Sequence, residues 1–153
     1  MSYFLKSEID FDSSHYLEGH SGKCRNLHGH RWKVEYELKS NTLIKRGSSK
    51  DMVIDFTDIK NLIAKYFNQF DHALLVDMSN IKSYNNLNFL RACLQMGFKI
   101  VQLPCRTTAE NMSKLFFYDI DNLIKNNFKG LDIKLNYITV YETPNNSATY
   151  KED

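Results

Sequence analysis

Between His30 and Leu38 the chain alternates without a break. Trp32, Val34, Tyr36 and Leu38 are apolar, and Arg31, Lys33, Glu35 and Glu37 between them are charged. Successive side chains of an extended chain point to opposite faces, so this segment is a strand with one dry face and one wet face. Such a strand belongs in an antiparallel sheet that is covered on one side only. Tyr3 to Phe11 repeats the pattern, with Leu5, Ile9 and Phe11 apolar and Lys6, Glu8 and Asp10 charged.

The cover is legible further on. After the short apolar run Met52 to Phe56, the residues Ile59, Leu62, Ile63, Tyr66, Phe67 and Phe70 recur at three- and four-residue steps. That spacing predicts an amphipathic helix, which Thr57 or Asp58 would cap. A second helix is expected to start at Thr107, which has capping-box spacing to Glu110. Its stripe is Met112, Phe116, Ile120 and Leu123, and it ends before Gly130. Leu131 to Tyr141 reads as a closing strand. Between the two helices, Leu87, Leu90 and Leu94 before Gly97 suggest a small helix, and Lys99 to Leu103 an extended piece, so a helix-strand insertion is expected around residues 77–103. The order strand, strand, helix, helix, strand predicts an α+β fold, with helices packed on one face of an antiparallel sheet.

A chain of 153 residues, 42% of them hydrophobic, has material for one packed core, so a single domain over 1–153 is expected. Its 20 basic and 18 acidic residues are interleaved and leave a formal charge of +2, which gives no basic face for nucleic acid. No apolar run is long enough for a bilayer, and the first residues lack the pattern of a signal peptide. Three cysteines at unrelated spacings fit a reducing compartment, so a cytoplasmic location without disulfides is the expectation.

The chemistry concentrates in Cys24-Arg25-Asn26-Leu27-His28-Gly29-His30. Residues two apart on a strand share a face, so His28 and His30 aim at one spot, and Gly29 leaves room between them. His15, at the end of the first strand pattern, comes alongside if the two strands pair. Three neutral imidazoles with a fourth position open would make a catalytic zinc site. Paired histidines on strands are also ordinary surface or hydrogen-bonded core residues. Cys24, whose free thiol titrates near about 8.5, has Lys23 and Arg25 beside it to favour thiolate. It reads either as a fourth ligand that closes the site or as a base beside an open one.

Six runs in order resemble the 6-pyruvoyltetrahydropterin synthase and 6-carboxytetrahydropterin synthase family: Phe11-Asp12-Ser13-Ser14-His15, Cys24 to His30, Met52-Val53-Ile54-Asp55-Phe56, Phe70-Asp71-His72, Thr107-Thr108-Ala109-Glu110-Asn111 and Tyr141-Glu142-Thr143. The resemblance covers residues 4 to 150. It implies that His15, His28 and His30 hold zinc and that Cys24 is the catalytic base. It implies further that Asp71 and His72 form an acid-base pair and that Glu142 binds the pterin, with Thr108 and Glu110 in a second pterin-contacting motif. Read without the family, Asp71-His72 is a cap or dipole contact at a helix end, and the capping box already accounts for Glu110. If Asp71 and His72 do cooperate, the backbone there must be irregular, because neighbours on a regular strand face opposite ways.

Three residues separate Cys24 from His28, the spacing usual in the bacterial 6-carboxytetrahydropterin synthases of the queuosine route. The resemblance therefore implies conversion of 7,8-dihydroneopterin triphosphate to 6-carboxy-5,6,7,8-tetrahydropterin, with loss of acetaldehyde and triphosphate. A pyruvoyl-forming or related side-chain lyase is the alternative within the class, and a non-catalytic pterin- or zinc-binding protein the alternative outside it. The implied fold is the tunnelling fold (T-fold), in which subunits join sheets into a barrel with active sites between them, here as a homohexamer of two trimers. The sequence departs from the family pattern at Asp51, where glycine is common, at Arg31, and in the length of 77–103.

Overall fold

The two alternating segments pair with each other. In the computed structural model, which describes residues 1–79 and 84–152, β1 (Tyr3–His15) lies antiparallel to β2 (His28–Ser40) along its whole length, from Tyr3 opposite Ser40 to His15 opposite His28. β3 (Ala73–Asp77), β4 (Ile100–Leu103), β5 (Lys134–Thr143) and β6 (Asn146–Tyr150) complete a sheet of order β4-β3-β1-β2-β5-β6. The dry faces of β1 and β2 are covered by α1 (Phe56–Phe67) and α3 (Ala109–Asn127), whose Ile59, Ile63, Phe67, Met112, Phe116 and Ile120 close a core with Phe11, Trp32, Tyr36 and Leu38. The Phe116 ring meets those of Phe11, Tyr66, Phe67 and Phe70 at centroid distances of 5.0–6.4 Å. Fully burying one side chain of this size contributes about 1.5–3 kcal/mol, so the expected α+β architecture rests on this layer.

The sheet is mixed where an antiparallel one was expected. β3 runs parallel to β1, and β4 parallel to β3. The reason lies in Ala73-Leu74-Leu75-Val76, an unbroken apolar run with no alternation to mark it as a strand. Both its faces are buried: Ala73 and Leu75 join the main core, while Leu74 and Val76 pack on Leu90 and Cys93 of α2 (Tyr84–Gln95). A continuous apolar strand covered on two sides is the mark of parallel pairing through a crossover helix. The helix α2 is that crossover, and it covers the face opposite to α1 and α3. α2 and β4 are the small helix and extended piece expected within residues 77–103, of which residues 80–83 lie outside the described residues. β6 escaped notice because Asn-Ser-Ala-Thr-Tyr carries no apolar period; it holds to β5 as an edge strand, with a 2.7 Å hydroxyl contact between Thr139 and Thr149.

Both helix starts differ by a few residues from the expectation. Asp55, not Thr57 or Asp58, caps α1 by accepting from the Thr57 amide at 2.7 Å. Thr108, not Thr107, caps α3 by accepting from the Asn111 amide at 3.4 Å. Thr107 is instead fully buried against His15. Asp51 adopts φ +65°, the left-handed region that asparagine and aspartate tolerate and glycine prefers. An aspartate at this position can therefore hold the backbone conformation that a glycine would take.

Candidate active site

The full-length register of β1 and β2 sets His15 opposite His28 and Ser13 opposite His30, all on the face shared with Phe11 and Trp32. Side-chain donor atoms of His15, His28, His30 and Glu142 lie within 4.8 Å of one another. β5 delivers Glu142 because Val140 pairs with Val34 and points into the core, so Glu142, two residues on, shares that face. Its Oε1 is 3.4 Å from both His15 Nε2 and His30 Nε2.

The protonation of the two facing imidazoles follows from their partners. His15 Nδ1 lies 2.9 Å from the Thr107 carbonyl oxygen, and His28 Nδ1 lies 2.7 Å from that of Asn26. A carbonyl only accepts, so each Nδ1 carries the proton and donates it, leaving a bare lone pair on each Nε2. These two nitrogens stand 3.1 Å apart, and neutral rings in this tautomer have no proton to share between them. His30 Nε2 is buried and makes no hydrogen bond, and the Glu142 carboxylate adds negative charge to the same point. Converging lone pairs and a carboxylate repel one another unless a cation sits among them. A proton is disfavoured there: burial first, and the neighbouring His28 second, lower the His15 imidazole from 6.5 to about 4, against the pull of the Thr107 carbonyl. Burial likewise lowers His30, although Glu142 opposes the shift. The donor set therefore fits a metal ion.

Two cavities meet at this strand end. One, of about 530 Å³, is lined by Asp12, Ser14, His30, His72, Phe98 and Lys99 among others. The other, of about 410 Å³, is lined by His30, Lys33, Tyr141 and Glu142 among others. Gly29 borders both, and a Cβ there would meet protein only at 3.6 Å, from the Ser13 carbonyl, so the space it leaves open faces the cavities rather than the fold.

Asp71 and His72 lie at the start of β3, where Ala73 pairs with Ser13. The Asp71 carboxylate accepts from the Asp12 amide at 2.9 Å and from His72 Nδ1 at 2.7 Å. The Asp12 amide foremost, and then His72, hold that carboxyl below its ordinary value. His72 has φ +53°, the irregular backbone that side-by-side cooperation of neighbours needs. Its ring is exposed on the wall of the larger cavity, across β1 from His30.

Cys24 sits in the short 3-10 turn Lys23–Arg25, half-buried and free, and its carbonyl accepts from the Leu17 amide at 2.8 Å. Its sulfur is not among the clustered donor atoms. Thr108 and Glu110 occupy the cap and the exposed first turn of α3, next to the Thr107 that orients His15. Sequence reasoning missed Thr107 and Asn26 as orienting groups, because both act through backbone carbonyls that leave no residue-type signal. His20 accepts from the Gly22 amide at 2.9 Å and stays in its loop.

The family model described as 6-pyruvoyl tetrahydropterin synthase matches residues 4–153. The chain belongs to the 6-pyruvoyl tetrahydropterin synthase family. It is 35% identical, over 97% of its length and 98% of the relative's, to a protein of Haemophilus influenzae named 6-carboxy-5,6,7,8-tetrahydropterin synthase. A Rickettsia felis protein of the same name is 33% identical over 90% of this chain and 91% of its own. The 6-pyruvoyltetrahydropterin synthase of Plasmodium vivax superposes with a TM-score of 0.73 over 100% of this chain and 99% of that one, at 23% identity, which establishes the shared T-fold.

The His15 environment generates a pH prediction for the metal-free protein. The unfolded chain takes up a proton near 6.5 and the folded chain only near 4, so between those values the unfolded state binds more protons and stability rises with pH. Calorimetry on chelator-treated protein is expected to give a Tm that falls as pH drops from 6.5 to 4, with a shallower slope for His15→Gln. Equal slopes for both proteins would contradict the burial argument.

Proposed function

We propose that the protein is a zinc-dependent 6-carboxy-5,6,7,8-tetrahydropterin synthase, a single catalytic domain over residues 1–153. It takes 7,8-dihydroneopterin triphosphate and water to 6-carboxy-5,6,7,8-tetrahydropterin, acetaldehyde and triphosphate, as a step toward queuosine and related 7-deazapurines. The observation that supports this reading most is the 35% identity, over 97% of the chain, to the Haemophilus influenzae protein of that name. His15, His28 and His30 would hold the zinc. Tetrahedral zinc ligands about 2.0–2.1 Å from the metal stand about 3.3 Å apart, close to the 3.1 Å between the His15 and His28 nitrogens. Zinc in this position supplies Lewis acidity toward the oxygens of the substrate side chain, which makes the adjoining C–H groups more acidic.

The remaining chemistry falls to the protein's own groups. Cys24, as thiolate, would take a proton from a side-chain carbon. His72 donates from Nδ1 to Asp71, which leaves Nε2 free to accept a proton from substrate or return one, and the Asp71 carboxylate stabilises the imidazolium that forms. Glu142 would accept from the ring amide and exocyclic amine of the pterin in a planar pair, with Thr108 and Glu110 contributing at the rim. One observation favours a second role for Glu142: its oxygen lies as close to His15 and His30 as a fourth metal donor would. A closed donor set of that kind would belong to a zinc-binding protein without turnover.

The ends of the sheet support assembly. β4 and β6 lie at the two ends of the strand order, and open edges must be paired or covered. A homohexamer of two trimers, with active sites between subunits, would pair them. Light scattering is expected to return about six times the chain mass, and a monomer would contradict the assembly.

The decisive experiment for the activity is anaerobic incubation of zinc-loaded protein with 7,8-dihydroneopterin triphosphate, followed by mass spectrometry of the pterin. 6-Carboxytetrahydropterin with acetaldehyde is the expected outcome; a pyruvoyl product keeps the site but overturns the branch, and unchanged substrate overturns the enzyme reading. Cys24→Ala is expected to keep its zinc and lose turnover by about 10²-fold or more, whereas loss of zinc from that variant would make Cys24 a ligand.

A further inference from the structure

His72 holds a left-handed backbone conformation, with φ +53°, that is costly for a residue with a Cβ, and such conformations persist only where the surroundings over-determine them. The peptide unit that joins Asp71 to His72 is pinned at both ends. Its N–H, on His72, donates to the Asp12 carbonyl at 2.6 Å. Its C=O, on Asp71, accepts from Lys99 Nζ at 2.8 Å. Rotation about φ of His72 turns this peptide plane relative to the side chain, so the two contacts together fix the direction in which the imidazole leaves the backbone.

Lys99 is itself well placed to do this. Its Nζ also donates to the Asn68 carbonyl at 2.9 Å. Asn68 is the C-terminal cap of α1, where a positive charge is favourable against the helix dipole. The Lys99 carbonyl accepts from the Leu74 amide at 2.9 Å, so backbone and side chain both grip the segment from Asn68 to Leu74. The hold extends into α2. That helix ends at Gly97, in the left-handed region with φ +77°, and the Phe98 amide returns to the Cys93 carbonyl at 3.0 Å. Cys93 and Leu90 anchor α2 on Leu74 and Val76 of β3. The helix α2 thus ends in a turn that delivers Phe98 and Lys99 to the wall of the larger cavity, which His30 and His72 also line.

We infer that Lys99, in the turn between α2 and β4, is a positioning residue for the Asp71–His72 pair: its ammonium locks the peptide between the two residues and so aims the His72 ring into the cavity. The inference rests on the proposed role of that pair in proton exchange. It gives the turn between α2 and β4 a function in the reaction itself, since that turn carries the group that keeps the acid-base pair in register.

The test uses the full-length, metal-loaded protein and the substitutions Lys99→Met, Lys99→Gln, Lys99→Arg and His72→Ala. Imidazole 15N shifts of His72 are expected to show protonation at Nδ1, the nitrogen that donates to Asp71, in the parent protein. That signature should be lost in Lys99→Met, weakened in Lys99→Gln and kept in Lys99→Arg. Turnover should follow, with kcat down about 10- to 100-fold in Lys99→Met, KM changed less than about twofold, and most of kcat restored in Lys99→Arg. An unchanged His72 signature in a folded Lys99→Met protein, or in Lys99→Gln if the methionine variant does not fold, overturns the inference. Loss of the signature with full activity in His72→Ala upholds the positioning of His72 and overturns the catalytic role of the pair, so the two failures are distinguishable.

Discussion

Everything at the candidate site depends on the register between β1 and β2. Because side chains alternate faces, a slip of one residue would turn His28 and His30 to the wet face and carry Trp32, Val34, Tyr36 and Leu38 out of the core with them. The burial of those four side chains and the convergence of three imidazoles are thus one constraint. The sequence that makes a good dry face also aims the histidines, and the fold cannot hold its core without presenting the donor set. What remains is tautomer control, and that comes from two backbone carbonyls, of Thr107 and Asn26, which fix the proton on Nδ1 and leave Nε2 for a metal.

The legible parts of this architecture were those with a period. The alternation of Arg31 to Leu38 and the stripes of α1 and α3 have a direct reading in extended and helical geometry, and the two-residue spacing of His28 and His30 places both on one face of β2. β3 was illegible because a strand buried on both faces shows no alternation, and with it went the parallel half of the sheet. Thr107 has the capping-box spacing to Glu110, but the cap falls to Thr108, which accepts from the Asn111 amide, while Thr107 turns to His15; two adjacent threonines are alike by residue type, and only these contacts separate them. The nearness of Glu142 to the histidines depends on the β2–β5 register, which a bulge between Glu37 and Leu38 shifts and no local pattern records.

The segment that carries α2 gives the fold its second layer. α2 covers the face of β3 that α1 and α3 leave bare, and in doing so turns an α+β sheet with one covered side into one covered on both sides at its β3 end. The same packing fixes the turn at Gly97 and the position of Lys99. The α2–β4 segment is thereby tied to the cavity wall on which His72 stands.

The central claim is that three histidine nitrogens, without the Cys24 sulfur, form the metal site. Zinc K-edge X-ray absorption on the zinc-loaded protein tests it most directly. The account predicts a first shell of nitrogen and oxygen scatterers at about 2.0–2.1 Å with imidazole outer-shell features, unchanged in Cys24→Ala. A sulfur scatterer at about 2.3 Å that disappears in that variant would contradict it.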